Sequence, residues 1–292
     1  MTLAFITSRL RVEEKLLLQE LEARGAAFER VDDARLRLDL VPESGEAPWS
    51  AAWNRSLAFG RTLYATEALE ARGVTCFNSA HVTRTCGDKV LTSLALAAAS
   101  VPSLRTEVCF TPEAALEAAE RFGYPCVLKP VVGSWGRLVA RLDTRAAAEA
   151  VFEDRAVLGS WQHSVFYVQE YVEKKGRDAR VFVVGGEAIA GIWRTSEHWI
   201  TNTAQGGSVS RCEVGGEIAE VAEAAAAAVG GGILAVDLVE TTNGLAALEV
   251  NHSGEFRNSI APTGVDIPGA MVDHVLGSLS NGPILRPMEA VR

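Results

Sequence analysis

Near the C-terminus two apolar runs, residues 233–241 and 245–252, each carry an acid among side chains that favour burial: Asp237 in the first, Glu249 in the second. A carboxylate in such a run must find a cation or water. On an extended chain Glu249 and Asn251, two apart, share one face. The register decides whether Asp237 joins them. A two-residue Asn243-Gly244 loop pairs Asp237 with Val250 and turns the carboxylates to opposite faces. A three-residue Thr242-Asn243-Gly244 loop, with glycine in a left-handed position, pairs Asp237 with Glu249. The second register is expected. Two carboxylates and one amide oxygen then converge, a donor set suited to Mg2+ that keeps its other positions for phosphate and water. The plain alternative is a solvated sheet face with Glu249 free. Val239, Leu245 and Ala247, expected to be buried on the same face, favour the metal.

Around this hairpin, strand and helix patterns alternate. Strands are expected at 2–7, 28–31, 36–41 and 74–77, with helices from about residue 11 to Gly25 and over 55–72. That pattern reads as a small open parallel sheet. A helix over 88–100 follows. Thr111-Pro112 then opens another that stops at Gly123, ahead of a strand at 124–132 and a return strand at 138–142. From 165 the pattern is antiparallel (165–172, 179–184, 188–194), then a helix at 217–229, the hairpin, and a helix at 267–280. The expected class is α/β (α+β), with an N-terminal α/β domain at 1–85 and two α+β subdomains at 86–165 and 166–292.

Several function classes are disfavoured. The chain of 292 residues has 28 basic and 37 acidic side chains, a net charge of −9, so its surface as a whole does not favour nucleic acid. The longest uncharged apolar stretch, 224–236, is too short to span a bilayer and contains three consecutive glycines. Residues 1–9 have no signal-peptide profile. The cysteines, Cys76, Cys86, Cys109, Cys126 and Cys212, are scattered and odd in number, which suits reduced thiols in the cytoplasm. No G-x-x-x-x-G-K-[ST], G-x-G-x-x-G or G-x-S-x-G motif occurs.

Two further groups carry chemistry. Lys129 ends Cys-Val-Leu-Lys, a cation among apolar residues that a phosphate would satisfy, and Gly133-Ser134-Trp135-Gly136-Arg137 follows directly. Glycines there let backbone N–H groups approach an anion, with Ser134 and Arg137 as added donors. Arg180, Arg194 and Asn202 lie on or beside the antiparallel strands, and a fixed guanidinium near a metal-bound phosphate suits phosphoryl transfer.

Together these residues resemble the ATP-grasp superfamily: Gly87-Asp88-Lys89, Val127-Leu128-Lys129-Pro130, the 133–137 turn, Gln169-Glu170-Tyr171-Val172, Arg180 to Gly185, Asp237 and Glu249-Val250-Asn251. Within it the chain is similar to the ribosomal-protein glutamate ligase (RimK-like) branch. It is most similar to the lysine-biosynthesis ligases (LysX type) that join 2-aminoadipate to an amino-group carrier protein. Residues 198–204, Glu255-Phe256-Arg257-Asn258-Ser259 and 263–269 carry that likeness. In this family an Asn-Ser or Asn-Thr pair, here Asn258-Ser259, marks members that take aminoadipate, whereas a Gly-Phe-like pair marks those that take glutamate. Gly254 departs from the bulkier residue often found there, which suggests a pocket open to another amino acid.

The resemblance implies an ATP-grasp fold in which the two subdomains clamp ATP. ATP would be held by Lys89, Lys129, Gly133, Ser134, Trp135, Gly136, Arg137, the segment Gln169, Glu170, Tyr171 and Val172, and Asp178. Mg2+, with Mn2+ as a substitute, would sit on Asp237, Glu249 and Asn251. Arg194 and Arg180 would be catalytic. Arg55, Arg61, Asn202, Thr203, Glu255, Phe256, Arg257, Asn258 and Ser259 would hold substrate. The implied partner is a small acidic carrier protein (LysW type), in a homodimeric or homotetrameric enzyme. A positive cleft of Arg55, Arg61, Lys89, Lys129, Arg137, Arg180, Arg194 and Arg257 is expected on this negative protein. Alternatives are a related ligase using glutamate or another amino acid, including protein-tail glutamylation, and a non-catalytic ATP-binding module.

Overall fold

The computed structural model of the chain describes residues 2–41, 47–133, 136–201 and 207–280. They form two compact units, one of residues up to Ala80 together with those from Asp266 onward, the other of His81–Val265. The first unit begins with β1 (Leu3–Thr7), α1 (Val12–Ala23), β2 (Phe28–Asp32), β3 (Ala51–Asn54), α2 (Phe59–Glu70) and β4 (Thr75–Phe77). Its sheet is wholly parallel, in the order β2-β1-β3-β4. Central β1 is buried at every position, as its unbroken apolar run requires. The expected strand at 36–41 does not form; β3 takes the place beside β1 instead. Ala-Ala-Trp-Asn has little strand signal of its own, and pairing with β1 decides its conformation.

The second unit opens with α3 (Ala80–Gly87) and α4 (Lys89–Ala98). Asp88 separates them and caps α4 by accepting from the Val90 and Leu91 N–H groups. Next come β5 (Thr106–Cys109), α5 (Pro112–Phe122), β6 (Cys126–Lys129), β7 (Ala140–Leu142), α6 (Arg145–Leu158) and β8 (Phe166–Glu170). Thr111 caps α5 as expected, accepting from the Ala114 N–H at 3.2 Å. The four strands form an antiparallel sheet in the order β5-β8-β6-β7. Ala115, Ala118 and Ala119 of α5 and Phe152 of α6 pack against Cys126, Leu128, Phe166 and Val168.

Then follow β9 (Arg177–Val184), β10 (Glu187–Thr195), β11 (Ser208–Cys212), α7 (Glu217–Ala228), β12 (Ile233–Thr241), β13 (Gly244–Asn251) and α8 (Arg257–Thr263). This second sheet is antiparallel, in the order β11-β10-β9-β12-β13. Val181, Val183, Leu234, Val236 and Leu238 pack on Val221, Ala222, Ala225 and Ala226 of α7. Each fully buried Val or Leu there stabilises by about 1.5–3 kcal/mol. Because side chains alternate, that packing leaves Asp178, Arg180, Arg194 and Asp237 together on the opposite face.

The expected pairing of Asp237 with Glu249 is present, but the turn that was to produce it is not. Thr241 pairs with Gly244, so the loop is the two residues Thr242-Asn243, and Leu238 pairs with Ala247. That ladder alone would set Asp237 opposite Leu248. A β-bulge at Leu248 restores the match. It also corrects the expected surroundings: Leu245 and Ala247 pack on the α7 side, whereas Val239 clusters with Leu104, Ala246 and Leu248.

The last helix, α9 (Ile267–Ser280), was expected to close the C-terminal subdomain. It belongs to the first unit instead. Arg24, just beyond α1, pairs with Asp273 at 2.6 Å, and His274 meets Phe77 edge-on.

Deleting Leu248 should convert the bulge to a regular ladder, keep Asp237 opposite Glu249, and cost about 1–2 kcal/mol of partly buried apolar surface. Deleting Asn243 leaves a one-residue loop that cannot close, and should destabilise more. Urea midpoints should fall in the order wild type, Leu248 deletion, Asn243 deletion.

Candidate active site

The polar face of the five-stranded sheet is organised by an alternating chain of charges. Asp237 on β12 faces Arg180 on β9 and accepts from its Nε at 2.7 Å and its Nη2 at 2.8 Å. Arg194 on β10 reaches Asp237 Oδ2 at 3.0 Å through Nη2 and donates through Nε to Asp178 Oδ1 at 2.7 Å. Asp178 Oδ2 accepts from Lys174 Nζ at 2.9 Å and also from the Thr201 hydroxyl. Asp178, Arg194 and Asp237 are all buried, where an unmatched charge is costly. Burial opposes the charge on Asp237, yet Arg180 and Arg194 outweigh it and hold the carboxyl at about 2. Burial likewise disfavours the Arg194 charge, and Asp237 with Asp178 more than offset it, raising its pKa.

A second charged group adjoins β13. Lys89, at the start of α4, donates through Nζ to the Gly133 carbonyl at 2.9 Å and lies 3.3 Å from Glu249 Oε1. Burial pushes the Lys129 ammonium down to about 8; Glu249 opposes that shift, while Lys89 and Lys174 add to it. The cation read from the sequence as lacking a partner therefore has carboxylate neighbours.

The expected metal set can be tested against these positions. Asp237 and Glu249 are register partners, and Asn251 lies one step along the same face. The buried Asn251 Nδ2 has no hydrogen-bond partner; turned over, the amide presents its oxygen there instead. Asp237, expected to serve the metal, is already doubly paired with Arg180 and Arg194. Oδ2 accepts from both arginines, but Oδ1 accepts from Arg180 Nε alone and keeps a second lone pair, so the arginines leave one position for a cation. Among the described residues no group of three His, Cys, Asp or Glu side chains forms a metal cluster. Two carboxylates and one amide are what this hairpin offers a divalent ion, and they fit one.

Arg180, Ile192, Arg194, Glu255, Arg257, Asn258 and Ser259 line one small pocket. The segment 255–259, expected to hold substrate, enters α8, which presents Arg257 and Asn258 from its first turn. Phe256 does not line the pocket: it is fully buried and anchors the start of α8. Gly254 does not widen the pocket either. A Cβ there would lie 2.6 Å from the Ala235 Cβ, so β12 already fills that space.

Near the end of β8 the Gln169 side chain is buried and donates to Thr106 Oγ1 at 3.0 Å and the Tyr167 hydroxyl at 3.2 Å. Glu170 accepts from the Arg105 N–H at 2.8 Å. Both side chains knit strands, which leaves any ligand contact of this segment to its main chain. Tyr171 lies under the Arg141 guanidinium, and Val172 joins the Leu104–Val239 cluster. Gly136 is left-handed (φ 65°) and Arg137 beyond it is exposed. Ser134, Trp135, Asn202 and Thr203 lie outside the described residues.

The expected single positive cleft needs correcting at Arg55. That side chain is 2% exposed, inside the first unit, and pairs with Glu14 at 3.3 Å. Arg61 is exposed and pairs with Asp33 at 3.1 Å. Sequence reading missed the roles of Lys174 and Thr201, since neither a turn lysine nor a loop threonine signals a partner in another segment.

Two predictions follow from this geometry. Asp237→Asn should destabilise by about 3–5 kcal/mol, because it takes the carboxylate from half-buried Arg180 and leaves buried Arg194 with Asp178 alone; two facing carboxylates alone would have suggested the reverse. The depressed carboxyl contributes stability above its unfolded value near ~3.9, and that contribution is lost as pH falls through about 2. The gap between wild type and variant in urea should therefore close between about pH 4 and 2. Gly254→Ala should destabilise by about 1–3 kcal/mol through overpacking, and adding Ala235→Gly should recover most of that loss in thermal unfolding.

No described helix is long and apolar enough to cross a membrane. Residues 86–275 match the RimK-like ATP-grasp domain, and residues 3–85 match the LysX preATP-grasp domain. The chain is 31% identical over 278 residues to the glutamate–LysW ligase ArgX of Sulfurisphaera tokodaii, covering 94% of this chain and 98% of that protein. It is 33% identical over 208 residues to the alpha-aminoadipate–LysW ligase LysX of Saccharolobus solfataricus, covering 70% and 76% respectively. The crystal structure of a RimK-domain ATP-grasp protein from Sphaerobacter thermophilus superposes with a TM-score of 0.79 at 30% identity, over 95% of this chain and all of that one. The alternating charges behind the Asp237–Glu249 hairpin, the lysines beside it and these matches agree: the chain belongs to the RimK-like ATP-grasp family and is an ATP-dependent carboxylate–amine ligase.

Proposed function

We propose that the enzyme joins the α-amino group of 2-aminoadipate to the γ-carboxylate of the C-terminal glutamate of a small acidic amino-group carrier protein. The observation that carries this reading is the pocket in which Arg180, Arg194 and Arg257 meet Glu255, Asn258 and Ser259. Three guanidinium groups suit a dianionic amino acid, and the Glu255 carboxylate suits its amine. Asn258-Ser259 is the pair that goes with aminoadipate in this family.

In this reading Lys89 and Lys129 offset phosphate charge, and the 133–137 turn covers it through backbone N–H groups. The main chain of residues 169–172 holds adenine. Asp237, Glu249 and Asn251 hold a divalent cation, Mg2+ or Mn2+, which supplies charge neutralisation at the phosphates. The carrier's carboxylate attacks the γ-phosphoryl group, giving an acyl phosphate and ADP. Arg194, locked between two carboxylates, stabilises the charge that develops. The amine of aminoadipate then displaces phosphate to form the amide. No side chain of the enzyme needs to become a nucleophile.

A second reading takes glutamate in place of aminoadipate. It is favoured by the named activity of the Sulfurisphaera tokodaii relative, whose match spans nearly the whole chain. Incubation with ATP, the carrier and each amino acid separates the two. Carrier-dependent ADP release and a carrier mass gain of one aminoadipyl residue are expected with aminoadipate. Turnover with glutamate alone would support the second reading, and release that ignores the carrier would exclude both. Glu249→Gln should lower kcat by about 100-fold or more in whichever reaction is found.

A further inference from the structure

We propose that Asp178 is a positioning residue for Arg194, and that Thr201 reports to it the seating of the segment 199–201. This deepens the proposed function, which assigns Arg194 to phosphoryl transfer, and replaces the expected role of Asp178 as a nucleotide contact. Asp178 is 2% exposed. One of its oxygens accepts from Arg194 Nε, the other from Lys174 Nζ and the Thr201 hydroxyl. A carboxylate so enclosed and engaged acts through its partners.

Residues 199–201 touch three parts of the second unit. The Trp199 ring lies 6.4 Å from that of Tyr171, just past β8. Ile200 packs on the left-handed Gly136, where a Cβ would come within 3.2 Å of Ile200 Cγ2. Thr201, itself buried, bonds Asp178. The segment therefore contacts both the strand end and the glycine turn expected to enclose ATP. Through one hydroxyl it also bears on the carboxylate that orients Arg194. When the segment is displaced, Asp178 loses a donor and Arg194 loses its fixed partner on the side away from Asp237. A guanidinium contributes most to a developing charge when it is held beforehand, so loosening it lowers the chemical step rather than binding.

The test uses the full chain and two readouts. The Arg194 Nε–H signal, assigned by its loss in Arg194→Lys, gives hydrogen exchange without any substrate. Steady-state ADP release, with whichever acceptor and amino acid support turnover, gives kcat and the KM for ATP. Thr201→Val should speed Nε–H exchange by about 10-fold and lower kcat by a similar factor, with the KM for ATP within about two-fold. Thr201→Ser should restore both. Asp178→Asn should lower kcat by about 100-fold with the same KM signature. Thr201→Val with wild-type exchange and kcat would overturn the proposal, as would Asp178→Asn that raises the KM for ATP at unchanged kcat. If the carrier assay fails while exchange responds as expected, the substrate reading falls and the positioning role stands.

Discussion

The site depends on one chain of charges in alternating sign, Lys174, Asp178, Arg194, Asp237 and Arg180, whose three middle members are buried and whose ends are half-buried. No single pair in it would be stable in isolation, because each ion loses water that one partner cannot fully replace. Shared between neighbours, every carboxylate has two or more cationic donors and Arg194 has two carboxylates. The chain ends in excess positive charge, and Lys89 and Lys129 add to it beside Glu249. A protein of net charge −9 thus concentrates cations beside this hairpin, as the proposed phosphoryl transfer would require.

That arrangement has a structural precondition. The opposite face of the same sheet is sealed by alanines of α7 against Val181, Val183, Leu234, Val236 and Leu238. Period-two alternation then forces the charged residues onto the other side. The small side chains of α7 pack directly on that face, behind the strands that set distances of 2.7–3.0 Å between charged atoms. The bulge at Leu248 serves the same end. It absorbs the mismatch of a two-residue loop and delivers Glu249 opposite Asp237.

Much of this was legible in the residues alone. The alternating pattern from 165 onward, the cap at Thr111 and the parallel N-terminal sheet depend on local periodicity and hydrogen bonding, which a linear sequence records. The pairing of Asp237 with Glu249 was also legible, although through a turn that does not exist. Two errors, glycine placed inside the loop and no bulge, cancelled in the register but not in the packing. Leu245 and Ala247 were therefore assigned to the wrong face. Sequence periodicity has no signal for a single extra residue in one strand.

Residue types and spacing determined which side chains could carry chemistry: a lysine before a glycine turn, two acids and an amide on a hairpin, and arginines on antiparallel strands. Only the tertiary structure decided their partners. Arg55 could be read as a substrate contact until burial beside Glu14 made it part of the first unit's interior. Gly254 could be read as extra room until Ala235 was seen to occupy it. Asp237 could be read as facing only Glu249 and a metal until β9 and β10 brought two guanidinium groups to it. The reason is common to all three. Charge balance and excluded volume are set by neighbours remote in the chain, and the folded arrangement is the first place where those neighbours meet.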